Sequence, residues 1–138
     1  MLRLKINPAE GPISSAFGYR TSPVTGKAEF HNGIDIAVPI GTEVVAVANG
    51  TITVSGKNEL NGYYIRLRTD SGYMAVYLHL SEILVDQGQQ VVQGEVIALS
   101  GNSGVSAGAH LHVSLLKNGE FIDPFYYFTL VYNGNREG

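Results

Sequence analysis

The sequence contains no cysteine. A disulfide framework and a thiolate metal site are therefore excluded, although an extracellular setting is not, because exported domains also fold without disulfides. Positive charge is scarce too. Nine Lys and Arg stand against twelve Asp and Glu, for a formal net charge of −3. The basic residues are scattered, so nothing marks a footprint for nucleic acid. No apolar run approaches the roughly 18 residues of a membrane span. No secretory leader is expected in this stretch, since Met1-Leu2-Arg3-Leu4-Lys5 lacks a following apolar segment. A domain cut from a longer chain would have lost its leader, so this leaves the location open. Sustained helical periodicity is also missing.

What is present is a chain for one globular domain. Its 138 residues suffice for one proper core, and 44% of them are apolar. With 17 glycines between short alternating runs, the pattern predicts an all-β fold with little helix. Residues 13–20 read as a short strand running into a turn, and 21–27 as a loop. Residues 43–55 read as two short strands about Asn49-Gly50, a hairpin-type turn. Residues 63–68 and 73–79 alternate around a turn at Asp70-Ser71-Gly72 and predict a hairpin. On its second strand Met74, Val76 and Leu78 are expected in the core, with Tyr73, Ala75, Tyr77 and His79 on the less apolar face. A short helical turn is expected at 81–85. Residues 88–92 (GQQVV) echo 41–45 (GTEVV). Residues 101–108 (GNSGVSAG) form a small-residue loop, and 121–128 an aromatic cap. The expected organisation is a lead-in at 1–12, the domain at 13–128 and a tail at 129–138.

The chemistry concentrates in the histidines. After the small-residue loop, His110, His112 and Ser114 alternate with Leu111, Val113 and Leu115, the signature of a half-buried strand. Two imidazoles on one face, about 7 Å apart along the backbone, can reach a shared point. Alone they are equally a pair of partly exposed histidines without chemistry. His31 and Asp35 are four apart, too near Gly33 and Pro39 for a helix. On a straight strand they would lie about 13 Å apart. Both can bind one ion only if the chain bends at Asn32-Gly33. His79 stands at a strand end.

Together these four histidines, all that the chain has, suit a metal-assisted hydrolase. Zinc takes His and Asp donors and leaves a position open for water. His31, Asp35 and one histidine of the His-x-His pair supply three donors. Two imidazoles then remain for proton transfer near neutral pH. Spacing does not separate His110 from His112.

From residue 13 to residue 124 the sequence resembles the lysostaphin/LytM-type zinc endopeptidases of bacterial peptidoglycan. The resemblance rests on FGYR at 17–20, TGK at 25–27, HNGID at 31–35, GTEVVAVANGTI at 41–52, YLHLS at 77–81, GQQVVQGEVIALSGNSG at 88–104 and AHLHVSL at 109–115. It implies an antiparallel β-sheet core with a loop-walled groove, bounded here by 19–30, 55–62 and 101–108. It implies one zinc ion held by His31, Asp35 and His112, with His79 and His110 as the catalytic histidines. The implied reaction is hydrolysis of a peptide bond in a stem peptide or cross-bridge. Arg20 and Tyr77 are candidates for touching substrate, with structural roles open for both. The expected setting is the cell wall, the periplasm or a phage particle, and the expected state a monomer. The chain departs from the pattern at Ser114, where many relatives carry glutamate, and at Ala109, where proline is usual. Neither position is a ligand in the family, so little effect is expected. Two other classes remain: a non-catalytic wall-binding module of the same fold, and a phosphocarrier of similar β architecture with a two-histidine site. The phosphocarrier needs neither the aspartate ligand nor zinc.

Overall fold

The computed structural model describes residues 6–131. Twelve strands and one 3-10 turn follow in order: β1 Ile13–Ser15, β2 Gly18–Thr21, β3 Ala28–His31, β4 Ile34–Ile36, β5 Glu43–Val45, β6 Gly50–Asn58, β7 Gly62–Thr69, β8 Tyr73–Ile83, β9 Gln90–Val91, β10 Val96–Ser100, β11 Leu111–Lys117 and β12 Glu120–Ile122, then Pro124–Tyr127. All pairings are antiparallel. The main sheet runs β1-β4-β11-β8-β7-β6-β9, with β10 joining β5 to the far half of β8 and β12 extending β11. β2 and β3 form a separate two-stranded ribbon.

β8 is the central strand. It pairs with β7 on one side, and on the other with β11 and then β10. Its faces are the reverse of the sequence expectation. Tyr73, Ala75 and Tyr77 are buried, the last two completely. Val76 and Leu78 line a groove on the opposite face. The cross-strand partners explain the inversion. Tyr77 lies beside Val113 of β11 and Ile65 of β7, both fully buried, so its side of the sheet is the core. Aliphatic character along β8 alone carries no such information.

Other local readings are corrected by pairing. β5 and β6 do not form a hairpin about Asn49-Gly50: β5 pairs with β10, and β6 with β7 and β9. The expected helical turn at 81–85 is instead the end of β8, because β10 supplies Ala98 and Leu99 as partners for Ile83 and Glu82. Tyr77 does not touch the groove; it is fully buried, accepts from the Val47 N–H at 3.2 Å and donates to the Val45 carbonyl at 3.3 Å.

The 63–79 hairpin is present as β7 and β8. The 41–45 and 88–92 echo has a shared hydrogen-bond pattern. Gly41 N–H and Thr42 carbonyl bracket Ser100, as Gly88 N–H and Gln89 carbonyl bracket Ile52. Segments on both sides of 13–128 pack against it. Ala9 is buried, Asn7 bonds Thr129 twice at 2.9 Å, and Leu130 is buried in the same core. Lead-in residues 1–5 and tail residues 132–138 lie outside the described residues.

Candidate metal centre

The β4–β11 pair builds the centre of the site. It sets Asp35 directly opposite His112, between the core pairs Ile36 with Leu111 and Ile34 with Val113. Fully buried neighbours on both strands fix the register, since a one-residue slip would send isoleucines to the groove. His31 ends β3 and reaches the same point after the bend at Asn32-Gly33. Gly33 is there for closeness: a Cβ at this position would lie 2.3 Å from the Val113 carbonyl, 2.7 Å from Ser114 Oγ and 2.9 Å from His112 Nε2.

Three potential ligand atoms converge. His31 Nε2, Asp35 Oδ1 and one ring nitrogen of His112, Nδ1, are 3.0–3.3 Å apart. All three residues are buried. His31 Nδ1 donates to the Ala16 carbonyl at 2.8 Å, which leaves its Nε2 with a lone pair. His112 Nε2 meets Ser114 Oγ at 2.9 Å. The cluster thus turns three atoms of metal-ligand type to one point, where either a single cation or a proton shared between an imidazole and Asp35 satisfies them. Tetrahedral zinc, with ligands at about 2.0–2.2 Å, sets its donors roughly 3.4 Å apart. The donor chemistry and spacing fit such an ion.

Asp35 has its second oxygen occupied. Arg20 of β2 donates to Oδ2 at 3.0 Å, to Ser15 Oγ at 2.7 Å and to Glu29 at 2.8 Å. Burial pushes the Asp35 carboxyl upward, but hydrogen bonds from His112 and His31 outweigh it and hold the group well below the usual carboxylate range. Burial lowers His112, against the pull of Asp35. A neutral imidazole beside an ionised carboxylate is the ligand-ready state.

His79 and His110 flank the cluster without joining it. Their rings are 5.1 Å apart, and His79 is 6.3 Å from the His112 ring. His110 sits just before β11, its Nδ1 donating to the Gly108 carbonyl at 2.7 Å and its Nε2 3.5 Å from Asp35 Oδ1. His79 Nδ1 donates to the Ser103 carbonyl at 2.7 Å. Both rings therefore spend Nδ1–H on a main-chain carbonyl and leave Nε2 as the atom for proton transfer, that of His110 beside Asp35. Burial lowers the His79 pKa, with the Ser103 bond opposing.

His79 reaches the groove by a departure from strand geometry. Plain alternation after Tyr77 and Leu78 would turn it into the core. Instead β8 carries an extra residue between the pairs Ile65 with Tyr77 and Tyr63 with Leu80, and His79 adopts φ +64°. Two consecutive residues, Leu78 and His79, then face the groove. Such backbone costs about 1–3 kcal/mol for a non-glycine residue and persists only where neighbours impose it. Here Asn61 accepts the His79 N–H at 2.9 Å, and Ser103 holds the ring. The Ser103 hydroxyl in turn accepts from Tyr63 N–H and donates to the Leu80 carbonyl. Gly62 and Gly104 allow these two loops to touch, since a Cβ on either would lie within 2.4 Å of the other's segment. Ser103, Ser114 and the steric role of Gly33 were not legible as functional in the sequence. The only signal was the small-residue composition of the loop.

The fold and this centre belong to a peptidase. The chain is a member of Peptidase family M23, whose profile matches residues 29–124. It is 44% identical over 108 residues to the peptidoglycan DD-endopeptidase ShyA of Vibrio cholerae, covering 78% of this chain and 25% of that protein. Among solved structures it resembles a zinc-containing peptidase from Vibrio cholerae, with 38% identity and a TM-score of 0.81 over 88% of this chain and 39% of the other. It also resembles the catalytic domain of lysostaphin from Staphylococcus simulans, with 31% identity and a TM-score of 0.72 over 80% and 86% of the two chains. The chain spans about a quarter of the length of the curated relatives it matches.

Proposed function

We propose that this domain hydrolyses peptide bonds of bacterial peptidoglycan, in stem peptides or cross-bridges, as a zinc endopeptidase. The observation that carries the reading is the convergence of His31 Nε2, Asp35 Oδ1 and His112 Nδ1, beside two further imidazoles whose Nδ1 atoms are held by main-chain carbonyls. His31, Asp35 and His112 would hold one zinc ion. When bound, zinc supplies a polarised carbonyl and a more acidic water.

The chain's own residues supply the rest. Arg20 and the two histidines orient Asp35. His79 and His110 take the proton from the attacking water and return one to the leaving amine. As imidazolium either donates to the developing oxyanion. The Ala16, Ser103 and Gly108 carbonyls fix the tautomer of His31, His79 and His110 in advance. The substrate points to a periplasmic or extracellular site of action, and we place the working unit, as a monomer, at residues 13–128 together with the flanking residues that pack into its core. Digesting purified cell walls of different cross-link types and identifying new amino termini by mass spectrometry tests the reading. Absence of any new amino terminus overturns it.

A further inference from the structure

We propose that Arg66 is a carboxylate-binding residue of the groove, and that the domain accordingly takes cross-links bearing a free carboxylate beside the scissile bond. The proposal rests on the peptidoglycan reading above and names the substrate class within it. Four side chains of fixed charge line the groove: Arg20, Glu29, Asp35 and Arg66. The first three satisfy one another, Arg20 bonding Glu29 at 2.8 Å and Asp35 at 3.0 Å. Arg66 is exposed and its side chain has no ion pair, hydrogen bond or ring contact among the described residues. Arg20, Glu29 and Asp35 together carry one negative charge, so Arg66 brings no surplus charge to the groove but is its one fixed charge without a partner among the described residues.

Its position follows from the sheet register. Ser114, Val76 and Arg66 form one ladder across β11, β8 and β7, two residues along from the ladder of Asp35, His112 and Leu78. With strands about 4.8 Å apart and residues about 3.4 Å apart along them, the Arg66 Cα lies roughly 12 Å from that of His112. The Arg66 side chain lines the same groove as His112 and is long enough to cover much of this gap. On this proposal its guanidinium meets a group on the residue that supplies the scissile nitrogen. A guanidinium presents a planar fork that matches a carboxylate with two parallel N–H···O bonds. A glycine bridge has no carboxylate at that distance. A D-alanyl bond to a diamino diacid has one, on the carbon that bears the scissile nitrogen.

The test uses the full chain, zinc-loaded, and two synthetic D-alanyl cross-linked peptides that differ only in whether that carboxylate is free or amidated. Pentaglycine is the third substrate. The expected kcat/KM is about tenfold higher for the free acid than for the amide, the scale of a partly exposed charge-assisted hydrogen bond. In Arg66→Gln the ratio falls to about one, while Arg66→Lys keeps a ratio above that of the Gln variant. A wild-type ratio near one, or a preference that survives Arg66→Gln, overturns the proposal. Cleavage of pentaglycine alone also overturns it, and leaves the peptidase reading standing. Cleavage of none of the three overturns the peptidase reading and the proposal with it.

Discussion

Asp35 and His112 face each other across the β4–β11 pair, Oδ1 to Nδ1, at 3.0 Å. His110, two residues away on the same chain, points its Nε2 at the same carboxylate from 3.5 Å. On the function proposed above, His112 is a ligand and His110 is not. His112→Ala leaves two protein donors, so zinc content and activity should both collapse. His110→Ala and His79→Ala should keep their zinc while turnover falls by roughly 10²–10⁴. Elemental analysis and activity on the same preparations decide it. Zinc lost from His110→Ala but kept in His112→Ala would reverse the roles.

The purified domain should hold about one zinc ion, given three protein donors and an open position. A chelator should abolish wall hydrolysis and added zinc restore it. Full activity in metal-free protein would rule the mechanism out.

Gly33→Ala should damage the site through contact alone. The new methyl would press on the Val113 carbonyl, Ser114 Oγ and His112 Nε2. Overpacking of this kind costs about 1–3 kcal/mol. Denaturant titration should show that loss, and zinc affinity should fall with it. Wild-type stability and zinc content together would remove the steric account.

The acid limb of the kcat/KM profile should lie below the ordinary histidine value. Burial lowers the His79 pKa, so its neutral, proton-accepting form persists to lower pH and is lost only as pH falls through that depressed value. The sign is fixed: activity is present above the limb and absent below it. A limb at or above about pH 6.5, the unperturbed histidine value, contradicts this.

Tyr77→Phe should act on stability. It removes the partner of the buried Val47 N–H, at a cost of about 1–3 kcal/mol for an unsatisfied group. A drop in Tm with kcat/KM on wall substrate little changed is the expected pair of results. An unchanged Tm with a raised KM would return Tyr77 to the groove.

The β character of the chain and the alternation of β11 were legible because that strand has one apolar face and one polar one. Leu111, Val113 and Leu115 are fully buried, as their spacing predicts. β8 was misread because both its faces are apolar, and only Val113 and Ile65 beside Tyr77 tell core from groove. His79 was expected at a strand end but lies inside β8, and its path depends on an extra residue and a left-handed backbone that no two-residue period encodes. The bend at Asn32-Gly33 was anticipated as turn chemistry. Its glycine is required by atoms 80 residues further on, which local pattern does not reach.

Three of the four imidazoles hang from main-chain carbonyls, those of Ala16, Ser103 and Gly108. A carbonyl is present whatever residue occupies its position. The anchor at position 108 therefore does not depend on the side chain carried there. At 108 an added Cβ meets open space. Substitution at position 108 should therefore vary the rim of the groove while the anchor of His110 stays in place.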